Sequence, residues 1–103
     1  MKTHTLKVEH EYMDALKSGE KTFEVRRDDR GFQKGDKLRL CRYGKCRRGG
    51  HSYGFMDNEG SVVSSYPTGQ KVDCIERTII YVLTGGQFGI EPGYVVLGLE
   101  QNP

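Results

Sequence analysis

Short stretches of alternating polar and apolar residues recur along this chain, and such alternation is typical of strands with one buried face. The alternation predicts strands at 5–9, 22–28 and 37–43. Two later stretches, 72–83 and 94–99, are more apolar, and the continuous apolar run that ends the first of them predicts a strand buried on both faces. The chain is therefore predicted to consist mainly of β-strands.

One helix is predicted between the first two strands. Over residues 11–18, Tyr12, Met13 and Leu16 fall on one helical stripe. Gly19 follows directly, and glycine suits the left-handed conformation that ends many helices. Because a single short helix cannot cover both faces of so many strands, we expect the sheet to curve and close into a small barrel with the helix at one end.

The stretch 44–69 interrupts this pattern because it is rich in Gly, Ser and basic residues and has few apolar anchors. Its pattern predicts no more than a loose hairpin around 53–55 and 62–63. The chain contains no repeat and no linker, so we expect one α+β domain, 1–103, with a variable insert at about 44–71.

The composition fits one small globular domain of 103 residues, of which 35% are hydrophobic and 29% are charged. No apolar run reaches the roughly 18 residues that a membrane span requires. The N-terminus also lacks the apolar segment of a secretory signal. We therefore expect a cytoplasmic protein that has no membrane partner.

The net charge of +2 conceals a strongly polarised chain. Residues 17–48 contain 12 of the 16 basic residues and carry a net charge of +7, whereas the remaining residues carry −5. Clustered arginine and lysine favour polyanions such as nucleic acid. The alternative is that these cations solvate strand faces and pair with Asp28, Asp29 and Asp36.

Metal and cofactor chemistry have little support in the residue pattern. Cys41, Cys46 and Cys74 could join His51 as zinc ligands, but they form no C-x-x-C pair and their spacing matches no standard site. We therefore expect reduced structural thiols, no metal and no cofactor. The glycine-rich stretch 85–89 lacks the lysine of a phosphate-binding loop and is predicted to be a turn between strands.

A charged tract at the start of the second predicted strand carries the most specific chemistry. Glu24 and Arg26 project from one face of that strand, and Lys21 lies at its entrance. Arginine can bind a base edge or a phosphate, glutamate can accept a hydrogen bond from an exocyclic amine, and a lysine beside an arginine can act as base or nucleophile. The alternative is a salt-bridge ladder without a function.

The same tract resembles the ASCH superfamily of PUA-like proteins. The stretches SGEKTFEVRRDDRGFQKGDKLRL and RTIIYVLTGGQFGIEPGYVVLGL are most similar to a subgroup of small bacterial and phage proteins of unknown function. The superfamily signature G-x-K-x-x-E-x-R corresponds to Gly19, Lys21, Glu24 and Arg26. The resemblance implies a small β-barrel of about five to seven strands, one or two short helices at the barrel end, a cleft near the signature, and RNA binding.

The basic segment and the resemblance together predict a nucleic-acid-binding module. RNA is the expected partner, with other nucleic acid or a nucleotide as alternatives, and Phe32, Tyr43 and Phe88 are expected to stack on unpaired bases. The predicted site consists of Lys21, Glu24, Arg26, Arg27, Arg30, Phe32, Arg39, Arg42, Tyr43, Gln87 and Phe88.

A second hypothesis is a small hydrolase that acts on a modified nucleoside. One ASCH relative is an amidohydrolase acting on acetylated cytidine, and its motif lysine corresponds to Lys21. Its threonine three residues later is replaced here by Glu24, so binding is preferred to catalysis. A third hypothesis is an accessory protein that docks on a host protein through its acidic or basic face.

Overall fold

The computed structural model describes residues 1–46 and 52–101, and over these residues it contains seven strands and one helix. The order of elements is the predicted one, and the predicted hairpin in the insert is confirmed. In chain order the elements are β1 (Thr3–Glu9), α1 (His10–Ser18), β2 (Phe23–Arg27), β3 (Lys37–Lys45), β4 (Tyr53–Met56), β5 (Val62–Ser64), β6 (Cys74–Thr84) and β7 (Tyr94–Leu99).

The strands form one mixed sheet in the order β2-β7-β6-β3-β4-β5, with β1 paired to β3. The β1–β3 pair is parallel and the other pairs are antiparallel. A parallel pair needs a crossover connection, which α1 and β2 supply here. The described residues are therefore a mostly-sheet α+β structure.

The core lies between α1 and the inner face of the sheet. Met13 and Leu16 of α1 are buried, and α1 packs against β1 and β3. Gly19 ends the helix as predicted, with a φ of 84°. None of the described residues form a helix long and apolar enough to cross a bilayer. The main core cluster consists of Leu6, Val8, Met13, Leu16, Phe32, Leu38, Leu40, Ile79, Val95, Leu97 and Leu99.

The sheet stays open along the seam between β1 and β2, since no strand pairing joins these two strands among the described residues. Two arginine side chains span the seam instead. Arg26 Nη2 donates to the carbonyl oxygen of Lys7, and Arg30 Nη1 donates to that of Thr5 at 2.8 Å. Backbone groups on a strand edge need hydrogen-bond partners. These guanidinium groups therefore supply hydrogen bonds to carbonyl groups on the free edge of β1. In a closed barrel, a neighbouring strand would supply them.

The prediction that the end of β6 is buried on both faces is wrong. Ile79 is fully buried, but Ile80 and Tyr81 are 47% and 63% exposed. A bulge in the pairing with β7 lies between Ile79 and Tyr81, and a bulge re-aims the side chains beside it. The helix packs against β1 and β3 rather than over the outer face of β2, β7 and β6, so apolar residues on that face meet solvent.

Candidate nucleic-acid interface

Glu24 lies on the buried face of β2 although it is a charged residue on an edge strand. Phe23 and Val25, its apolar neighbours, are 43% and 50% exposed, whereas Glu24 is 4% exposed. Lys21 Nζ lies 2.8 Å from Glu24 Oε1, and Arg26 Nε lies 2.9 Å from Oε2. Burying a carboxylate is costly unless it is paired and hydrogen-bonded. The two cations therefore allow Glu24 to occupy this position, and these three residues form an ion cluster.

The ion cluster borders a cleft that follows the seam between β1 and β2, named the seam cleft. The cleft has two adjoining parts of about 660 and 570 Å³, which share Lys7, Arg26 and Tyr43 in their walls. Volumes in this range are typical of small-molecule sites. The first part is lined further by Glu9, Tyr12, Lys21, Phe23 and Glu24. The second part is lined further by Arg30, Tyr53 and Phe55.

Aromatic rings in the seam cleft lie next to cationic groups. Lys7 Nζ is 4.5 Å from the ring centre of Tyr43. Lys21 Nζ is 5.0 Å from the ring centre of Tyr12 and 5.3 Å from that of Phe23. Cations bind anionic groups and rings stack on planar ones, so this combination suits a ligand that has both, such as a nucleotide.

The structure brings together part of the site predicted from sequence. The predicted residues that line the seam cleft are Lys21, Glu24, Arg26, Arg30 and Tyr43. As predicted, Glu24 and Arg26 lie on one face of β2, because residues two apart on a strand share a face. The six other predicted residues lie elsewhere in the molecule.

Arg42 is fully buried and is therefore not presented to a ligand. Its Nε and Nη2 lie 3.0 and 2.9 Å from Asp73 Oδ2, and its Nη2 lies 2.6 Å from Asp14 Oδ1. Its Nη1 lies 2.8 Å from His10 Nδ1. The Arg42 guanidinium holds the pKa of Asp14 below its ordinary value. Arg42 thus links α1 to the segment before β6 from within β3.

Phe32 also lies inside the protein, 5% exposed, with its ring edge-on to His4. Stacking on a base from this position would require the core to open. Next to it, His4 Nε2 lies 2.9 Å from Asp36 Oδ2, and the backbone N–H groups of Lys2 and Gln33 donate to the same carboxylate. The hydrogen bond with His4 is the largest of the contacts that lower the pKa of Asp36 to about 2. This cluster fastens the N-terminus to the turn before β3.

Arg27 and Arg39 lie outside the seam cleft. The Arg27 guanidinium is 5.4 Å from the ring centre of Tyr94, on the other face of β2 from Glu24. Arg39 Nη1 lies 3.5 Å from Cys41 Sγ and 3.4 Å from Cys74 Sγ. Burial is the main cause that raises the pKa of the Cys41 thiol to about 12. These cysteines are free thiols beside a cation.

Gln87 and Phe88 lie on the turn between β6 and β7, as the sequence predicts for the stretch 85–89. Gln87 Nε2 donates to the carbonyl oxygen of Thr84 at 2.8 Å. Phe88 is 83% exposed and has a φ of 53°, a backbone conformation that is uncommon for a bulky residue. Neither residue lines the seam cleft.

His51, one of the four candidate zinc ligands whose spacing matches no standard site, lies outside the described residues, as do Arg47 and Arg48 of the basic segment. Cys46 follows β3 directly and is half-buried. Over residues 1–46 and 52–101, no group of three or more potential ligands is placed to hold a metal ion.

The basic segment is only partly free to attract a polyanion. Arg42 is internal, and Lys17 lies 3.1 Å from the Asp73 carboxylate. Lys21 and Arg26 are held in the ion cluster. The local field is therefore weaker than the charge of +7 indicates, because neighbouring carboxylates offset several of these cations.

Sequence reasoning missed several residues of the seam cleft, namely Lys7, Tyr12, Phe23 and Tyr53. Lys7 alternates with buried neighbours on β1, so its exposure was predictable. Its proximity to Tyr43 follows from the parallel pairing of β1 with β3, in which Lys7 opposes Cys41 and Glu9 opposes Tyr43. No local pattern specifies that pairing.

The described residues thus define a small α+β domain with a mixed sheet and a cleft of cationic and aromatic side chains. The chain belongs to the family described as a domain of unknown function, DUF3850, whose model matches residues 3–99. This match includes the stretch 44–71, for which the sequence predicts an insert. No curated protein sequence matches the chain.

Proposed function

We propose that this protein binds single-stranded nucleic acid, with RNA as the preferred partner, through the seam cleft. The observation that carries the proposal is the placement of Lys7, Lys21 and Arg26 among exposed or half-buried aromatic rings in one continuous cleft. Single-stranded nucleic acid is generally bound by a cationic groove that follows the backbone and by aromatic rings on which bases stack.

The second part of the seam cleft is the better place for phosphate. Lys7, Arg26 and Arg30 line it, and no carboxylate is among its lining residues. Lys7 also enters no salt bridge among the described residues. Its ammonium group, which lies over the Tyr43 ring, can therefore bind an anion without first leaving a carboxylate.

Tyr43 is the central candidate for base stacking because it lines both parts of the cleft. It stacks with Tyr53, with 6.4 Å between ring centres and 19° between ring planes. Tyr12 and Phe23, which are 48% and 43% exposed, offer further rings in the first part. Each base stacked on such a ring contributes about 1–3 kcal/mol to binding.

Glu24 is assigned a positioning role in this proposal. Both of its carboxylate oxygens already accept hydrogen bonds, one from Lys21 and one from Arg26. The carboxylate is buried, so an exocyclic amine, which the sequence suggested as a donor, has little access to the remaining lone pairs. Glu24 instead fixes the two cations at the cleft wall, where their remaining N–H groups can donate to a phosphate or a base carbonyl.

We also propose that the fold is of the ASCH, PUA-like type. The signature residues Lys21, Glu24 and Arg26 share one cleft, and the edges of β1 and β2 approach closely enough for Arg26 to bridge them. Both features support a partly open barrel in the order β1-β3-β6-β7-β2. A solved structure whose superposition on ASCH domains pairs different strands would contradict this proposal.

Binding is tested by fluorescence anisotropy with a labelled 12-nucleotide RNA and the matching DNA at 50 and 200 mM KCl. Three phosphate contacts predict a slope of about −2 in log affinity against log salt, which weakens binding about 20-fold between these concentrations. Lys7→Ala should make the slope shallower by about 0.7. The matched control is Lys71→Ala, which removes an exposed lysine that lines neither part of the cleft.

Two results would contradict the proposal. One is the absence of RNA binding by the parent at 50 mM KCl, or binding that does not depend on salt. The other is an equal loss for Lys71→Ala and Lys7→Ala, because a diffuse attraction to the whole protein would then account for binding. Stronger binding of DNA than of RNA would support binding through the seam cleft and would show that DNA is the preferred partner.

The hydrolase hypothesis is supported by one observation, the Lys21–Glu24 pair at 2.8 Å on the wall of a cleft of nucleotide size. It predicts release of acetate from N4-acetylcytidine by the parent and none by Lys21→Ala. Equal, slow release by both proteins would refute it. Because Lys21 already donates to Glu24, and Glu24 replaces the threonine of the ASCH amidohydrolase, we rank binding first.

A further inference from the structure

A row of three residues crosses the outer face of the sheet and has an aromatic residue at each end. Phe23 on β2 is opposite Gly98 on β7, and Gly98 is opposite Tyr81 on β6. Phe23 and Tyr81 are 43% and 63% exposed. Since directly opposed residues point to the same face of a sheet, both side chains leave the backbone on the outer face, with a glycine between them.

The fold does not require glycine at position 98. Gly98 is not among the residues with a positive φ. A Cβ atom built there would lie 3.4 Å from Tyr81 Cβ and 3.8 Å from Ile80 Cγ1, which are ordinary van der Waals distances. A glycine inside a strand often marks a place where a ligand approaches the backbone. The missing side chain leaves an open floor between the two rings.

The spacing of the strands leaves room for one planar ring between these two side chains. Neighbouring strands lie about 4.8 Å apart, and β7 lies between β2 and β6. The backbones at Phe23 and Tyr81 are therefore about 10 Å apart. A ring held between two others needs about 3.5 Å on each side, or about 7 Å in all. The rings of Phe23 and Tyr81 do not stack on each other, in contrast to those of Tyr43 and Tyr53.

We propose that Phe23, Gly98 and Tyr81 form a slot that binds one unpaired nucleobase. This proposal rests on the proposed function, because the base would belong to the strand bound in the seam cleft. Phe23 is a wall residue of that cleft, and Lys21 Nζ lies 5.3 Å from its ring. A strand that leaves the cleft passes Lys21, which can bind the linking phosphate, and then reaches the slot.

A base fits this surface better than a protein partner does. The next row on the face, Val25–Val96–Leu83, is apolar and continues the slot floor. Three strands over five residues cover roughly 240 Å², from the usual strand spacing and rise. A stable protein interface buries about 800 Å² on each partner. One base stacked between two rings needs no such area.

The slot is tested first with adenosine, which has no phosphate and so depends little on the cationic cleft. Titration to millimolar adenosine should shift the ring NMR signals of Phe23 and Tyr81 in the parent. Gly98→Val fills the floor while keeping both rings, and it should abolish these shifts. Tyr81→Ala removes one wall, and its matched control is Tyr66→Ala, another exposed tyrosine that lines neither part of the seam cleft.

The second measurement is the anisotropy titration with the 12-nucleotide RNA. Loss of one stacked base weakens binding about 5- to 150-fold. The RNA affinities of Gly98→Val and Tyr81→Ala should therefore be lowered by a factor in this range, and that of Tyr66→Ala should equal the parent's. Far-UV circular dichroism establishes that each variant is folded. If Gly98→Val does not fold, Tyr81→Ala and the adenosine shifts decide the question.

The outcomes separate this proposal from the proposed function. The absence of shifts at Phe23 and Tyr81, or identical shifts in the parent and Gly98→Val, would overturn the slot whatever the RNA result. RNA affinity that Lys7→Ala lowers and both slot variants leave unchanged would also overturn it, while the cleft stands. Shifts that Gly98→Val abolishes, without salt-dependent RNA binding, would support the slot and refute binding through the cleft.

Discussion

Replacing Arg42 by methionine removes the guanidinium group that joins β3, α1 and the segment before β6. Methionine keeps a long unbranched side chain in the same fully buried position, so the change removes charge and hydrogen bonds more than volume. The bonds lost include those at 3.0 Å to Asp73, 2.6 Å to Asp14 and 2.8 Å to His10.

The expected cost follows from what each former partner can do afterwards. Removing one member of a buried ion pair costs about 3–5 kcal/mol. The side chain of Asp14 is 80% exposed and can be rehydrated, and Asp73 keeps Lys17 at 3.1 Å from both of its oxygens. We therefore expect the free energy of unfolding to fall by about 3 kcal/mol, the lower end of this range. For a domain of this size, such a loss lowers Tm by about 12–24 °C.

Urea and thermal unfolding followed by circular dichroism measure this loss. Asp14→Asn, which removes an exposed partner of the same guanidinium, is the control and should destabilise far less. RNA affinity of Arg42→Met, measured well below its Tm, should equal that of the parent because the side chain does not reach the surface. A loss below about 0.5 kcal/mol, or a folded variant that no longer binds RNA, would refute this reasoning.

Two further predictions concern groups with displaced pKa values. Asp36 has its pKa lowered from 3.8 to about 2 in the folded protein, so its contribution to stability is complete above pH 3.8 and is lost as the pH falls toward 2. The urea midpoint should therefore drop between pH 5 and pH 2.5, and less so in Asp36→Asn; equal drops would contradict the assignment. Cys41, whose pKa burial raises to about 12, should be the last thiol that iodoacetamide alkylates at pH 8, as peptide mass mapping can follow. Alkylation of Cys41 as fast as Cys74 in the folded protein would contradict this expectation.

The elements of the fold could be predicted from local pattern to a large extent. Alternation located β1, β2 and β3, and apolar stretches located β6 and β7. The stripe of Met13 and Leu16 followed by Gly19 located the helix and its end. These signals are local because side-chain direction repeats every two residues in a strand and every 3.6 in a helix. The strand β7 begins and ends where the sequence predicted, at Tyr94 and Leu99.

The candidate site could be predicted only in part, for a reason that β2 illustrates. Alternation established that Glu24 and Arg26 share one face and that Phe23 and Val25 share the other. It did not establish which of the two faces is buried. In the structure, the face that carries Glu24 is the buried one. That outcome depends on Lys21 and Arg26 lying close enough to offset the buried charge, which is a property of side chains meeting in space.

Arg42 and Lys7 show the same division between sequence and tertiary structure. The local pattern establishes that both are cations on alternating strands and that most basic residues fall in one segment. The folded structure is needed to show that Arg42 turns inward to Asp73 and that Lys7 contacts Tyr43 across the β1–β3 pair. Strand pairing and ion pairing join residues far apart in the chain, and the local pattern carries no information about the partner.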